Sequence, residues 1–178
     1  MKSKLILGSN SIGDDKDVPQ RTLEAIRDSD LLVFEEDRPA RRLLKLAGVH
    51  RDYLKHNEHK DRGTLEEVRK FLLEGKSVFY CSDQGTASLA DPGKELTKIA
   101  FEMGVKVKVI PGPSSVTAAI SACPFDCSEF HYLGFLPRDE KDRVKVLEQI
   151  AKADCPQIIL DAPYRLKALL ESLSLIHI

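Results

Sequence analysis

The residues Phe79–Ala100, FYCSDQGTASLADPGKELTKIA, decide how this chain is read. An apolar run of strand length stops at Cys81, a dozen small, polar and acidic residues follow, and a helical pattern opens at ADPG. A long loop with little to bury, set between regular elements, is a place where proteins put function. Val105–Ile120, VKVKVIPGPSSVTAAI, repeats the strand–loop–helix design with a tighter turn.

The same alternation extends in both directions. Lys4–Leu7, Leu31–Phe34, Ser77–Cys81, Lys106–Ile110, His131–Phe135 and Gln157–Leu160 read as short buried strands. Between them, Pro19–Arg27, Ala40–Ala47, Thr64–Glu74, Pro92–Met103, Ser114–Ser121, Lys141–Lys152 and Tyr164–Leu173 carry helical spacing. Proline in the first turn opens the helix at Pro19. TLEE predicts Thr64 as an N-cap with Glu67 closing a capping box, and Asp91 is the expected cap of the helix at Pro92. Strands alternating with helices predict an α/β fold with a mostly parallel, helix-covered sheet. The turn-rich ACPFDCSEF marks the boundary between a first domain, residues 1–124, and a second, residues 125–178. Only two strands follow that boundary, so the second domain is expected to be incomplete, and SLSLIHI neither continues nor caps the last helix.

Composition limits the function. The 178 residues are 42 % hydrophobic and 31 % charged, with a formal charge of −1. Such a balance gives no general attraction to nucleic acid or to a membrane surface, though a local basic patch is compatible with it. No apolar run reaches membrane-spanning length, and the apolar part of MKSKLILGSN is too short for a signal peptide. Cys81, Cys123, Cys127 and Cys155 form no CxxC pair and read as reduced thiols of a cytoplasmic protein, most simply small core residues. His56 and His59 have a spacing two metal ligands could use, but no third ligand accompanies them, so no metal site is expected.

In an open α/β sheet, ligands collect beyond the carboxyl ends of the strands. Three loops there combine glycine with hydroxyl or carboxylate residues: GSNSIGDD, SDQGTASLADPG and PGPSS. Neither GxGxxG nor a GxxxxGK[ST] loop is present, so neither dinucleotide nor P-loop chemistry has its fingerprint. Asp83, Glu35, Glu36 and Glu58 are the candidates for a general base. Glu35 and Glu36 could equally pair with Arg38 or Arg41 as surface ions, and Asp83 could simply bond loop amides.

With SIGDDKDVPQRTLEAI, VFEEDRPARRLLKLAG, KHNEH, SDQGTASLADPG and IPGPSSVTAAISA in this order, the chain resembles the tetrapyrrole methylase superfamily; YLGFLPR and DAPYRL extend the likeness. It is most similar to the branch that methylates the ribose 2′-hydroxyl of a cytidine in small-subunit ribosomal RNA. Where that branch has TPIGN, EDTR and SDAGTP, this chain has NSIGD, EEDR and SDQGTA. The resemblance implies two α/β domains, S-adenosylmethionine as cofactor and a homodimer. It places the cofactor against Ser82, Asp83, Gln84, Gly85 and Thr86, against Pro111, Gly112, Pro113, Ser114 and Ser115, and against Gly134, Phe135, Leu136 and Pro137 with the segment Asp161–Arg165. Substrate would face Ser11, Ile12, Gly13, Arg38, His56 and Asn57. Two other readings stand beside it. One is methyl transfer to a tetrapyrrole or another small molecule, and the other is a non-catalytic truncated domain.

Overall fold

The computed structural model describes residues 3–57 and 62–174. The chain divides into two compact units, Met1–Ala118 and Ala119–Ile178. In the first, β1 (Lys4–Leu7), α1 (Gln20–Asp28), β2 (Leu31–Phe34), α2 (Asp37–Ala47), β3 (Leu54–Lys55), α3 (Arg62–Leu73), β4 (Ser77–Cys81), α4 (Gly93–Glu102) and β5 (Lys106–Val109) follow in order. The strands form one parallel sheet in the order β3-β2-β4-β1-β5. Parallel neighbours need crossover helices, and those helices bury both faces.

The period of two assigns each strand residue to a face. Ile6, Leu32, Phe34, Phe79 and Cys81 pack with Ile26 of α1 and with Ala40, Leu43, Leu44 and Ala47 of α2. Leu5, Leu7, Val33, Val78 and Tyr80 pack on the other face with Val68 and Leu72 of α3 and Leu96, Ile99 and Ala100 of α4. The edge strand β5 carries Lys106 and Lys108 exposed, charges that keep an unpaired edge from recruiting another strand.

Three local readings change. Helix α2 begins at Asp37 rather than Ala40, with Pro39 in its first turn, where a missing N–H costs nothing. Thr64 is no N-cap: it lies inside α3, is 4 % exposed, and its hydroxyl donates to the Lys55 carbonyl at 2.8 Å. A tertiary bond to the end of β3 has taken the hydroxyl that a capping box would use. Strand β3 is a two-residue element made by its pairing with Val33 and Phe34, too short for any periodicity to announce.

In the second unit, β6 (His131–Phe135) and β7 (Gln157–Leu160) pair in parallel, with α6 (Glu140–Ile150) and α7 (Leu166–Ser174) beside them. Leu136, Leu147, Ile150 and Leu169 form its small core. The helix α5 (Ser115–Ser121) contains the Ala118–Ala119 division between the units. No described helix is long and apolar enough to cross a membrane.

Candidate functional site

Four loops meet at the carboxyl edge of the first sheet, because β1, β2, β4 and β5 all run the same way. Ser9, just past β1, is fully buried; its Oγ donates to the Ile110 carbonyl at 2.6 Å and lies 3.1 Å from Thr86 Oγ1. Thr86 Oγ1 in turn faces the Gly112 and Pro113 carbonyls, each at 3.3 Å. The backbone joins the same loops, with Asn10 N–H donating to the Gly85 carbonyl at 2.9 Å. Gly85 has φ +69°, and a Cβ there would stand 3.3 Å from the Pro113 carbonyl. The loops after β1, β4 and β5 are thus stitched into one surface of backbone carbonyls and hydroxyls.

Acidic groups collect beside it. Glu35 Oε2 accepts from Ser82 Oγ at 2.9 Å and from Asp83 N–H at 3.1 Å. Asp83 Oδ1 accepts from Glu36 N–H at 3.1 Å. Burial, and then the adjacent Glu35 carboxylate, push the Asp83 carboxyl up to about 6, against the lowering effect of the Glu36 N–H. Glu36 Oε1 accepts from Asn57 Nδ2 at 3.3 Å. Among the described residues Asp83 Oδ2 has no hydrogen-bond donor, which leaves it available to a ligand.

The long loop that opened the sequence reading is shaped by Asp91. Its Oδ2 accepts from Ser88 N–H at 2.6 Å and its Oδ1 from Gly93 N–H at 2.8 Å, so it holds the first N–H of α4 while Pro92 takes the cap position. Tyr80 Oη donates to Oδ1 at 3.3 Å. Ser88 (φ 76°) and Ala90 (φ 60°) hold left-handed conformations that non-glycine residues rarely adopt. Asp91→Ala removes both of these bonds to backbone N–H groups, lowering stability by about 1 kcal/mol. Asp91→Asn, which retains one acceptor, should lose less, and urea unfolding of the two variants checks the order.

The structure sorts the substrate-side residues. Gly13 is exposed, with nothing within 4 Å of where a Cβ would lie, and Arg38 is exposed on the first turn of α2. Ser11 is 1 % exposed and sits against Arg42, whose Nη2 is 3.3 Å from Ser11 Oγ. The His56 ring is also buried, with Nε2 3.2 Å from the Pro92 carbonyl and 3.7 Å from Glu95 Oε2. It fastens the chain after β3 to the start of α4 and does not present its ring to solvent. Glu58 and His59 lie outside the described residues. In the second unit, Gly134 (φ +68°) stands at a register shift in β6, Phe135 is 55 % exposed, and Leu136 belongs to the core. Arg165 Nε pairs with Asp161 Oδ1 at 3.3 Å.

Two residues organise the loops in a way the sequence did not show: Asn10, and Arg42, which reads with Arg38, Arg41 and Arg165 as either a phosphate ligand or a solvated helix charge. Asn10 Nδ2 donates to the Asp83 carbonyl at 2.7 Å, and Arg42 Nη2 donates to Asn10 Oδ1 at 3.0 Å while Nη1 pairs with Asp15 at 3.2 Å. Arg42 therefore positions the β1 loop against the β4 loop. Its spacing of four from Arg38 put both on one helical face, but spacing alone does not say that this face meets the loops.

A parallel α/β sheet with glycine- and carboxylate-bearing loops gathered at its carboxyl edge defines an enzyme class that binds small ligands at strand ends. Within that class, the chain belongs to the tetrapyrrole methylase family: the family profile described as Tetrapyrrole (Corrin/Porphyrin) Methylases matches residues 11–176. It is 32 % identical over 170 residues to the Ribosomal RNA small subunit methyltransferase I of Thermotoga maritima, covering 96 % of this chain and 76 % of that protein. It is 30 % identical over 175 residues to the protein of the same name from Halalkalibacterium halodurans, covering 98 % of this chain but 61 % of the relative. The chain thus spans between about three fifths and three quarters of these two relatives. Among solved structures, a diphthine synthase superposes with a TM-score of 0.71 at 17 % identity, covering 98 % of this chain and 73 % of that one. The native uroporphyrin III C-methyl transferase of Thermus thermophilus gives 0.61 at 18 % identity, covering 97 % and 76 %. At these identities the superpositions speak for the fold alone.

Proposed function

We propose that this chain is an S-adenosylmethionine-dependent methyltransferase acting on the ribose 2′-hydroxyl of a cytidine in small-subunit ribosomal RNA, in the cytoplasm and as a homodimer. The observation that carries the reading is the Asp83 carboxyl at the end of β4, half-buried beside Glu35, with Oδ1 committed to a backbone N–H. Family membership and the relatives' names support the reaction and the acceptor.

The chemistry of the donor set suits the cofactor: Glu35, Glu36 and Asp83 place carboxylates near carbonyl-lined loops, as a ligand carrying sulfonium and ammonium charge requires. When bound, S-adenosylmethionine supplies a methyl group already activated by the sulfonium. The backbone of Ser82–Thr86 and of Pro111–Ser115 would hold it. Asp83 Oδ2 would hold the acceptor hydroxyl and take up the proton it loses on methylation. A carboxylate with a pKa near 6 is ionised at neutral pH and more basic than an ordinary one, which suits a general base. The exposed Arg38 and Gly13 would meet the RNA.

Calorimetric titration with S-adenosylmethionine, followed by transfer of a labelled methyl group to small-subunit ribosomal RNA, tests the proposal. Saturable binding and a label confined to a 2′-O-methylcytidine are the expected results. Binding with no transfer to RNA would overturn the acceptor, and no binding would overturn the enzyme reading of this chain.

A further inference from the structure

We propose that Glu129, His131 and Cys155 form a site for a divalent transition-metal ion, zinc by its donor set, at the amino end of the β6–β7 pair. A carboxylate oxygen, an imidazole nitrogen and the thiol sulfur of these residues all lie within 4.8 Å of one another. The pairing of the strands brings them together. His131 stands directly opposite Gln157, and His131 N–H donates to the Pro156 carbonyl at 2.9 Å. Glu129 and Cys155 each lie two residues ahead of one member of that pair, in the bends that lead into β6 and β7. The ligands come from segments far apart in sequence, so neither a CxxC nor an HxxH scan could find them.

The side chain of Gln157 shows where the donors point. Its Nε2 lies 3.4 Å from His131 Nδ1 and donates to Cys155 Sγ at 3.3 Å. An imidazole nitrogen and a sulfur therefore converge on one amide group, whose Nε2 also donates to the Cys155 carbonyl at 2.8 Å. A cation at that convergence would be better solvated than the amide nitrogen is. Rotation of the amide would then offer Gln157 Oε1, or a water, as the fourth ligand.

Thiolate, imidazole and carboxylate together select zinc or a neighbouring first-row ion over calcium or magnesium. Zinc bonds of about 2.0–2.3 Å place tetrahedral ligands roughly 3.5 Å apart. Glu129 and His131 are exposed and Cys155 half-buried, so side-chain rotation closes the remaining distance without moving the strands. The thiol gives up its proton on binding. The site shares no residue with those named for methyl transfer.

Cobalt(II), added to the whole chain after chelator treatment under reducing conditions, is the probe. One equivalent should produce a near-ultraviolet thiolate-to-cobalt band that zinc(II) displaces. Cys155→Ser should abolish the band. His131→Ala and Glu129→Gln should each lower zinc affinity by more than ~10-fold, the lower end of what loss of even an outer partner costs. A Cys123→Ser/Cys127→Ser double variant should leave the band intact. Absence of a band in the unaltered chain, or a band that survives Cys155→Ser or is lost with the double variant, overturns the site. If Cys155→Ser proves unstable, X-ray absorption of the zinc adduct of the unaltered chain decides. One sulfur near 2.3 Å with nitrogen and oxygen near 2.0–2.1 Å supports the site, and a shell without sulfur overturns it.

Discussion

Asp83→Asn should lower methyl transfer by about 10²–10⁴-fold at neutral pH, the usual contribution of a positioned general base. The substitution retains an oxygen for the Glu36 N–H, so the loop after β4 keeps its anchor. The unaltered chain should show an acid limb in kcat/KM near pH 6, and the variant should lack it. Retention of activity to within a few-fold would make Asp83 an organiser of the loop and move the search for a base to Glu35.

Stability should move the opposite way, and the sign follows from linkage. The folded chain raises the Asp83 pKa from 3.8 to about 6, so it binds the proton more tightly than the unfolded chain. The resulting stabilisation is complete below pH 3.8 and is lost as pH rises through about 6. Asp83→Asn should therefore be the more stable protein at pH 7.5, with its advantage shrinking towards pH 4. Glu35, Glu36 and Arg42 are the charged neighbours that act on Asp83, and all three remain in the variant, so the difference between the two proteins isolates Asp83. Urea unfolding at the two pH values measures it.

Gly112→Ala is expected to cost about 1–3 kcal/mol, the range for forcing a methyl into a packed site. Its Cβ would fall 2.5 Å from Ser9 Cβ and 2.9 Å from Pro19 Cγ. Ser9 has no room to yield. Its N–H donates to Thr22 Oγ1 at 3.3 Å, its carbonyl accepts from the same hydroxyl at 3.0 Å, and its own Oγ holds the Ile110 carbonyl. The turn after β5 must then move away from the loop after β1, opening the Thr86 contacts that join it to the loop after β4. Cofactor affinity should fall by at least tenfold, about 1.4 kcal/mol of binding energy. Gly13→Ala is the control, since no atom lies within 4 Å of its added methyl. Its stability should change by less than ~0.5 kcal/mol. Equal losses in the two variants would mean that backbone freedom, and not close approach, makes Gly112 necessary.

Much of this molecule was legible before folding. Apolar runs of four or five residues between helical patterns gave the parallel sheet, since a strand covered on both faces needs no polar alternation. The loops at Ser82 and Pro111 stood out because glycine, proline and hydroxyl residues there had no helix or strand to serve. Asp91 was read as the cap of α4; Pro92 takes the cap position, and Asp91 holds the first N–H of the helix from the residue before it.

Other features depended on partners distant in the chain. The order β3-β2-β4-β1-β5 brings Glu35 to Ser82 and Asp83, a meeting that no local pattern encodes. Thr64 carried a valid capping signature and spent its hydroxyl on Lys55 instead. His56 was expected on the substrate side from the resemblance and is a buried strut beneath α4. Arg42 and Asn10 acquired their positioning roles only when α2 and the β1 loop were packed together. The sequence by itself determined the periodicities and the turns, which rest on bonds between near neighbours. The tertiary structure alone decided which carboxylate is desolvated and which side chains converge, because burial and electrostatic coupling depend on distances in space.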